Sequence, residues 1–348
     1  MTHNSQATAV SGIHHITAVT SSAAENFRFY TRVLGLRLVK KTVNFDDPFT
    51  YHLYYGDESG HPGTILTFFP WEHLSQGRPG AGMVSAIAFA VPERSMDHWR
   101  HRLADNGVTV NSVERFGDPV ICFSDPHGLP LELIASPPRA VTGPDARESP
   151  TAITGFHSAT LLLNRMDATQ TIIAEGLGMR LDRREDRRFR FTTQDRSAPG
   201  NLLDILEDRS APRGLPGSGT VHHIAFRTRD EREQLAWRQR LQKAGMAVTD
   251  VRDRKYFRSI YFNEPGGVLF EIATDPPGFA VDEDPRDLGT ALQLPRQHEP
   301  LRSQIEARLP PLQPPEFQHL DAPPASTADS AETIAALHGS GGRSHMQR

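Results

Sequence analysis

The stretch EPGGVLFEIA (264–273) repeats the earlier stretch DPHGLPLELIA (125–135), and each is followed within three residues by a Pro-Pro pair. Both read as a turn leading into an apolar strand that carries one carboxylate, Glu271 in the later copy and Glu132 in the earlier. Upstream, the same landmarks recur at a spacing of about 138 residues. Trp99-Arg-His-Arg-Leu103 is answered by Trp237-Arg-Gln-Arg-Leu241, and Ile87-Ala-Phe89 by Ile224-Ala-Phe226. A fainter repeat relates GIHHITAVT (12–20) to GFHSATLLL (155–163), and LGLRL (34–38) to LGMRL (177–181). Self-similarity at fixed spacing means repeated supersecondary units, so the chain is read as four units in the order A, B, A′, B′.

Each unit opens with an apolar strand, passes through one helix and closes with short strands rich in Val, Ile, Phe and Tyr. In A, Ser22-Ala-Ala-Glu25 is a capping box, Phe27, Tyr30 and Leu34 follow at helical spacing, and Gly35 stops the helix. In B, Met96, Trp99 and Leu103 form one helical face before Asn106-Gly107. The expectation is an α+β fold. Residues 1–10 are an N-terminal extension, 11–150 the N-terminal pair of units, 151–280 the C-terminal pair and 281–348 a C-terminal extension. Eleven of the 27 prolines follow Asp275. That Pro-rich tail is expected to hold a helix near 302–309 and to be disordered, and dispensable, from about residue 323.

Composition narrows the function. The chain has 348 residues, 37% hydrophobic and 23% charged, with net charge -4; mean hydropathy is -0.46 and the pI about 6.5. Lys and Arg are scattered among acids, so the basic footprint of a nucleic-acid binder is missing and no nucleic-acid partner is expected. No apolar run approaches the ~20 residues of a spanning helix, so no membrane partner is expected. The first ten residues, MTHNSQATAV, lack a basic start and an apolar core, and a cytoplasmic protein is expected. The single cysteine, Cys122, has no intrachain partner and reads as a strand residue. A small-molecule partner is left.

The chemistry lies in the sixteen histidines, two pairs of which are adjacent, His14-His15 and His222-His223. With the units superposed, the opening-strand position reads His15, Ala86, Ser158, His223 and the closing-strand position Thr67, Glu132, Asp204, Glu271. Only A and B′ together supply two imidazoles and a carboxylate. If they face one another, His15, His223 and Glu271 converge and the Thr67 position stays open. Two histidines and one carboxylate with free coordination positions is the arrangement of non-haem Fe(II) oxygenases. A lone strand histidine is usually a satisfied core residue; two pairs at matched repeat positions are not accounted for that way. Strand alternation does not say which histidine of each pair faces the metal. One functional metal per chain is expected, because B and A′ offer Ala86 and Ser158 where imidazoles are needed.

On GIHHITAVT (12–20), FYTRVLGLRLVKKTVNFDDP from Phe29, TVHHIAFRT (220–228) and RSIYFNEPGGVLFEIATD from Arg258, the chain resembles the vicinal oxygen chelate superfamily. Within it, the chain resembles the ring-cleaving dioxygenases of para-hydroquinones. The resemblance covers about Gly12 to Asp275 and continues weakly into Leu309. It implies four βαβββ modules in two paired half-barrel units, Fe(II) as cofactor, and His15, His223 and Glu271 as its ligands. Catalytic or supporting roles fall on His14, Thr17, His222, Arg254 and Tyr261. Tyr261 would hydrogen-bond substrate oxygen, Arg254 would hold the remote hydroxyl or the product, and Phe45, Phe49, Tyr51 and Phe257 are candidate apolar walls. The implied reaction inserts both atoms of O2 into a hydroquinone beside a hydroxyl-bearing carbon, giving a ring-opened semialdehyde acid. A homo-oligomer and Mn(II) in place of Fe(II) stay open at this point. So do three relatives: a catechol-type extradiol dioxygenase, a glyoxalase-like isomerase with a carboxylate where Thr67 stands, and an aromatic-drug-binding protein without metal.

Overall fold

A computed structural model of the chain describes residues 9–137 and 150–312. The expected disorder after about residue 323, and most of the 1–10 extension, lie outside those residues. The four units form as expected. A comprises β1 (Ile13–Thr20), α1 (Ala23–Arg28), β2 (Arg37–Asn44), β3 (Asp47–Gly56) and β4 (Ile65–Pro70). B comprises β5 (Met83–Pro92), α2 (Met96–Asp105), β6 (Asn111–Arg115), β7 (Asp118–Ser124) and β8 (Pro130–Ser136). A′ comprises β9 (Phe156–Leu163), α3 (Asp167–Thr171), β10 (Arg180–Glu185), β11 (Arg188–Thr192) and β12 (Leu202–Glu207). B′ comprises β13 (Thr220–Thr228), α4 (Glu231–Lys243), β14 (Arg252–Asp253), β15 (Arg258–Asn263) and β16 (Leu269–Thr274). The capping box acts as read: Ser22 accepts a hydrogen bond from the Glu25 amide at the start of α1. The helix then widens into a π turn over Phe29–Val33 before Gly35 takes a positive φ of 72°.

The sheets do not follow the halves of the chain. One has the order β14-β15-β16-β13-β1-β4-β3-β2, built from A and B′; the other has the order β10-β11-β12-β9-β5-β8-β7-β6, built from A′ and B. The seam of the first is antiparallel, with Ile16 opposite Ile224 and Thr17 opposite His223. The two-residue period of a strand then sorts its side chains. Leu66 and Phe68, Ile224 and Phe226, and Phe270 and Ile272 enter the main apolar core. The residues between them, including Thr67, His223, Ala225 and Glu271, face the other way, into the concave side of a curled half-barrel.

After β16 the chain runs back across this concave sheet as a strap that ends in α5 (Arg302–Arg308). Phe279 and Leu288 pack with Val39, Tyr54, Tyr256 and Phe257, while Leu294, Ile305 and Leu309 join the main core. Lys40 of β2, fully buried, bonds Asp282 at 2.7 Å and also Glu283. Lys255, just after β14, reaches Asp282 at 2.6 Å. The strap therefore ties together the two opposite edges of the sheet. Gly289 makes the crossing of β2 feasible: its φ is 78°, and a Cβ there would stand 2.0 Å from the Leu38 carbonyl oxygen. Among the described residues no helix is long and apolar enough to cross a membrane.

Candidate metal centre

Three strands carry the donors. His15 lies on β1, His223 on the antiparallel neighbour β13, and Glu271 on β16, whose register with β13 puts it beside Ala225. Their side chains meet. His223 Nε2 lies 2.9 Å and His15 Nε2 3.4 Å from Glu271 Oε2, and the two nitrogens are 3.4 Å apart. All three residues are buried, and among the described residues they are the group that could hold a metal ion.

The other histidine of each pair decides which ring nitrogen points inward. His14 Nδ1 stands 2.9 Å from His15 Nδ1, and His222 Nδ1 2.8 Å from His223 Nδ1. Each inner ring thus uses Nδ1 outward and turns Nε2 to Glu271. An inner ring that donates from Nδ1 presents a bare lone pair at Nε2. Glu271 Oε2 is buried without a hydrogen-bond partner, while Oε1 is held by the Ser259 hydroxyl in a short contact. With both inner rings in that tautomer, three electron-pair donors converge, and a buried cation satisfies that set. Electrostatics agree. Burial alone would raise the Glu271 pKa, but His15 and His223 outweigh it and hold the carboxyl well below its ordinary value. Burial, followed by the charges of His15 and Arg254, keeps His223 below its ordinary value against the pull of Glu271.

The remaining expected residues gather around this centre. Tyr261 on β15 stands opposite Glu271 in the register, with its ring 5.9 Å from that of His223. Its hydroxyl accepts a hydrogen bond of 3.1 Å from Arg254 Nε, and Arg254 also pairs with Asp46 at 3.3 Å. Burial is the main force raising the Tyr261 pKa, so its hydroxyl keeps its proton at neutral pH. Phe257 packs against the rings of His14 and His15 at 5.1 and 4.9 Å. The other aromatic candidates meet the strap: the Phe45 carbonyl accepts from His298, Phe49 lies under Arg308, and the Tyr51 hydroxyl donates to the Pro310 carbonyl.

Thr17 sits two residues beyond His15 on β1 and bonds Thr67 across the sheet at 3.0 Å. Sequence reading missed what lies behind Thr67. His52 Nε2 is 2.7 Å from Thr67 Oγ1, and His52 Nδ1 is 2.9 Å from the Tyr54 hydroxyl. The signal was present in DPFTYHLYYG (47–56), where His52 and Tyr54 alternate with the core residues Leu53 and Tyr55. Ser259 was missed for the same reason, since it alternates with Ile260 on β15.

The second sheet holds the matching positions in another state. Glu132 is paired through both oxygens with Arg115. Asp204 is paired bidentately with Arg190 at 2.8 and 3.0 Å and also meets Arg188 at 3.2 Å. Guanidinium groups fill the place where an ion would stand. Cys122, half-buried on β7, lies 3.8 Å from Glu132.

Comparison with known proteins follows this architecture. The family profile described as the Glyoxalase/Bleomycin resistance protein/Dioxygenase superfamily matches residues 12–133 and again 155–272, which are the two halves of the repeat. MhqO of Bacillus subtilis (strain 168), whose name assigns it as a ring-cleaving dioxygenase, is 47% identical over 306 residues, 87% of this chain and 96% of MhqO. A protein of Sphingobium indicum named chlorohydroquinone/hydroquinone 1,2-dioxygenase is 36% identical over 308 residues, 85% of this chain and 95% of that protein. A crystal structure described as a dioxygenase of Bacillus subtilis superposes with a TM-score of 0.82 at 45% identity, covering 88% of this chain and 99% of that one. Glyoxalase I from Zea mays shares the fold alone, with a TM-score of 0.59 at 14% identity over 76% of this chain and 92% of that one. With the profile matched over both halves and relatives this similar along nearly their whole length, the chain belongs to the Glyoxalase/Bleomycin resistance protein/Dioxygenase superfamily, the vicinal oxygen chelate proteins.

Proposed function

We propose that this protein is a metal-dependent ring-cleaving dioxygenase that uses Fe(II) and O2 to open para-hydroquinones beside a hydroxyl-bearing carbon. The observation that carries the reading is the convergence of His15 Nε2, His223 Nε2 and Glu271 Oε2 on one point from three strands, with Thr67 rather than a fourth ligand beside them. The ring-cleaving and hydroquinone names of its relatives support the substrate class. Fe(II) held by these three residues would supply Lewis acidity and a one-electron route to dioxygen.

The protein groups do the rest. His14 and His222 fix the tautomer and orientation of the inner imidazoles, and Ser259 fixes Glu271. Tyr261 keeps its proton and directs a hydroxyl toward bound substrate oxygen, and Arg254 holds that phenol in place. Arg254 also offers a fixed positive charge to the remote hydroxyl or to the carboxylate of the product. Phe257 gives the ring an apolar wall.

The test is oxygen uptake by the Fe(II)-loaded protein against a panel of hydroquinones and catechols, with the product followed by its absorbance. Consumption of one O2 per hydroquinone with loss of the aromatic ring is expected. Turnover of catechols alone would replace the substrate class, and no uptake with any diol at full iron content would overturn the reading.

A further inference from the structure

The row Tyr54, His52, Thr67, Thr17 is a continuous hydrogen-bonded chain on the wall of the cup opposite Tyr261 and Arg254. Its links measure 2.9, 2.7 and 3.0 Å. It ends on the face of β1 that carries His15, at a hydroxyl whose one partner among the described residues is Thr67. None of the four is a ligand candidate, and none supports the three ligands directly.

The direction of the chain follows from its far end. Tyr54 is 2% exposed, and burial holds its pKa well above the ordinary phenol value, so the hydroxyl stays protonated. Among the described residues its hydrogen-bond partner is His52 Nδ1, and a buried hydroxyl proton needs an acceptor, so it donates there. Burial, reinforced by the charge of Arg254, keeps His52 well below its ordinary pKa and therefore neutral. A neutral imidazole that accepts at Nδ1 carries its proton on Nε2, which donates to Thr67. Thr67, having accepted, donates to Thr17. Among the described residues the proton of Thr17 is left with no acceptor.

We propose that Tyr54, His52 and Thr67 are positioning residues that polarise Thr17 into a one-way donor toward an oxygen anion bound in the cup, the phenolate form of an aromatic substrate. This deepens the reading of the protein as a hydroquinone dioxygenase and rests on it. A hydrogen bond to a charged acceptor is stronger than one to a neutral acceptor, and each donor behind it in a chain strengthens it further. The row therefore favours the deprotonated hydroxyl over the neutral phenol. No proton needs to travel along it.

The test uses the full-length protein with its metal, kept free of oxygen, and 4-nitrophenol as probe, whose neutral and anionic forms absorb at different wavelengths. Bound probe is titrated with pH in the parent protein and in Thr67→Val, which keeps the shape and removes the hydroxyl. The parent is expected to favour bound phenolate over bound phenol by about 2- to 5-fold more than Thr67→Val, because Thr17 keeps its own hydrogen bond to the anion and loses the strengthening that the donor behind it supplies. The midpoint of the colour change would then rise by about 0.3 to 0.7 pH units in the variant. Thr67→Ser should restore the parent midpoint, which a loss of packing would not predict. Tyr54→Phe, which keeps the ring and removes the first proton of the row, should move the midpoint the same way by less. Metal content is measured alongside and should not change. Bound probe with the same midpoint in the parent, Thr67→Val and Tyr54→Phe would overturn the donor row while leaving the dioxygenase reading intact. Failure of the metal-loaded parent to bind any phenol would overturn both.

Discussion

At the level of single residues, the centre depends on which nitrogen each imidazole turns inward, and that is set by a neighbour in sequence. Consecutive strand residues point to opposite faces, yet His14 and His222 bond their inner partners through Nδ1 at 2.9 and 2.8 Å. Replacing either with Phe keeps a ring and removes that bond, and metal affinity should fall by about 10- to 100-fold, as is typical of groups that orient a ligand. Competition with a chelator measures this; unchanged affinity in both variants would mean that the pairs do not set the tautomer. Tyr261→Phe should separate packing from chemistry. Fold and metal content should be retained, while turnover on the best hydroquinone falls by roughly 10- to 1000-fold, the cost of one positioned donor. KM should change much less than kcat.

At the level of elements, the same four-unit plan yields two sheets with opposite contents. Around β1 and β13 the carboxylate meets two imidazoles, whereas around β5 and β9 the carboxylates Glu132 and Asp204 are bound by Arg115, Arg188 and Arg190. One metal per chain should therefore be found by elemental analysis. Asp204→Asn should leave that number unchanged while lowering stability by about 3–5 kcal/mol, since it leaves the buried Arg190 with only the 4.0 Å contact to Asp118 as its charged partner. A fall in metal content in this variant, measured with the unfolding curve, would tie the second sheet to the centre. Much of this was legible in the sequence, because duplication preserves the turn-strand pattern around Glu132 and Glu271 and because the loss of imidazoles at Ala86 and Ser158 is visible once units are aligned. The arginines were not legible. They come from edge hairpins whose charges look like ordinary solvated residues until the sheet curls. Nor was His52, whose partner Thr67 lies on the next strand.

At the level of the whole molecule, the strap from residue 276 to 312 closes a sheet whose edges would otherwise part, and its sequence hides this because Pro-rich irregular chain carries no period. Its anchor is electrostatic as well as apolar. Lys40 is buried against Asp282 and Glu283, and the Tyr256 hydroxyl donates to Asp282 at 3.1 Å. Burial would raise the Asp282 pKa, but Lys255 and Lys40 outweigh it and hold it below its ordinary value. A carboxyl depressed in the folded state contributes stability that is present above its unfolded pKa of about 3.9 and lost as pH falls through the folded value. The anchor should thus hold at neutral pH and loosen only in acid. Lys40→Met makes the point without acid: it leaves Glu283 buried without its ammonium partner, so stability should drop by about 3–5 kcal/mol. Hydrogen exchange should quicken first in the strap and along β2, because these are the segments the ion pair joins. Phe279 and Leu288, each worth about 1.5–3 kcal/mol when buried, keep a partial hold on Tyr54 and Phe257. The aromatic side of the cup should therefore loosen without the fold being lost. Exchange that quickens uniformly over both sheets, with the strap no faster than the rest, would show that Lys40 supports the core at large and does not anchor the strap.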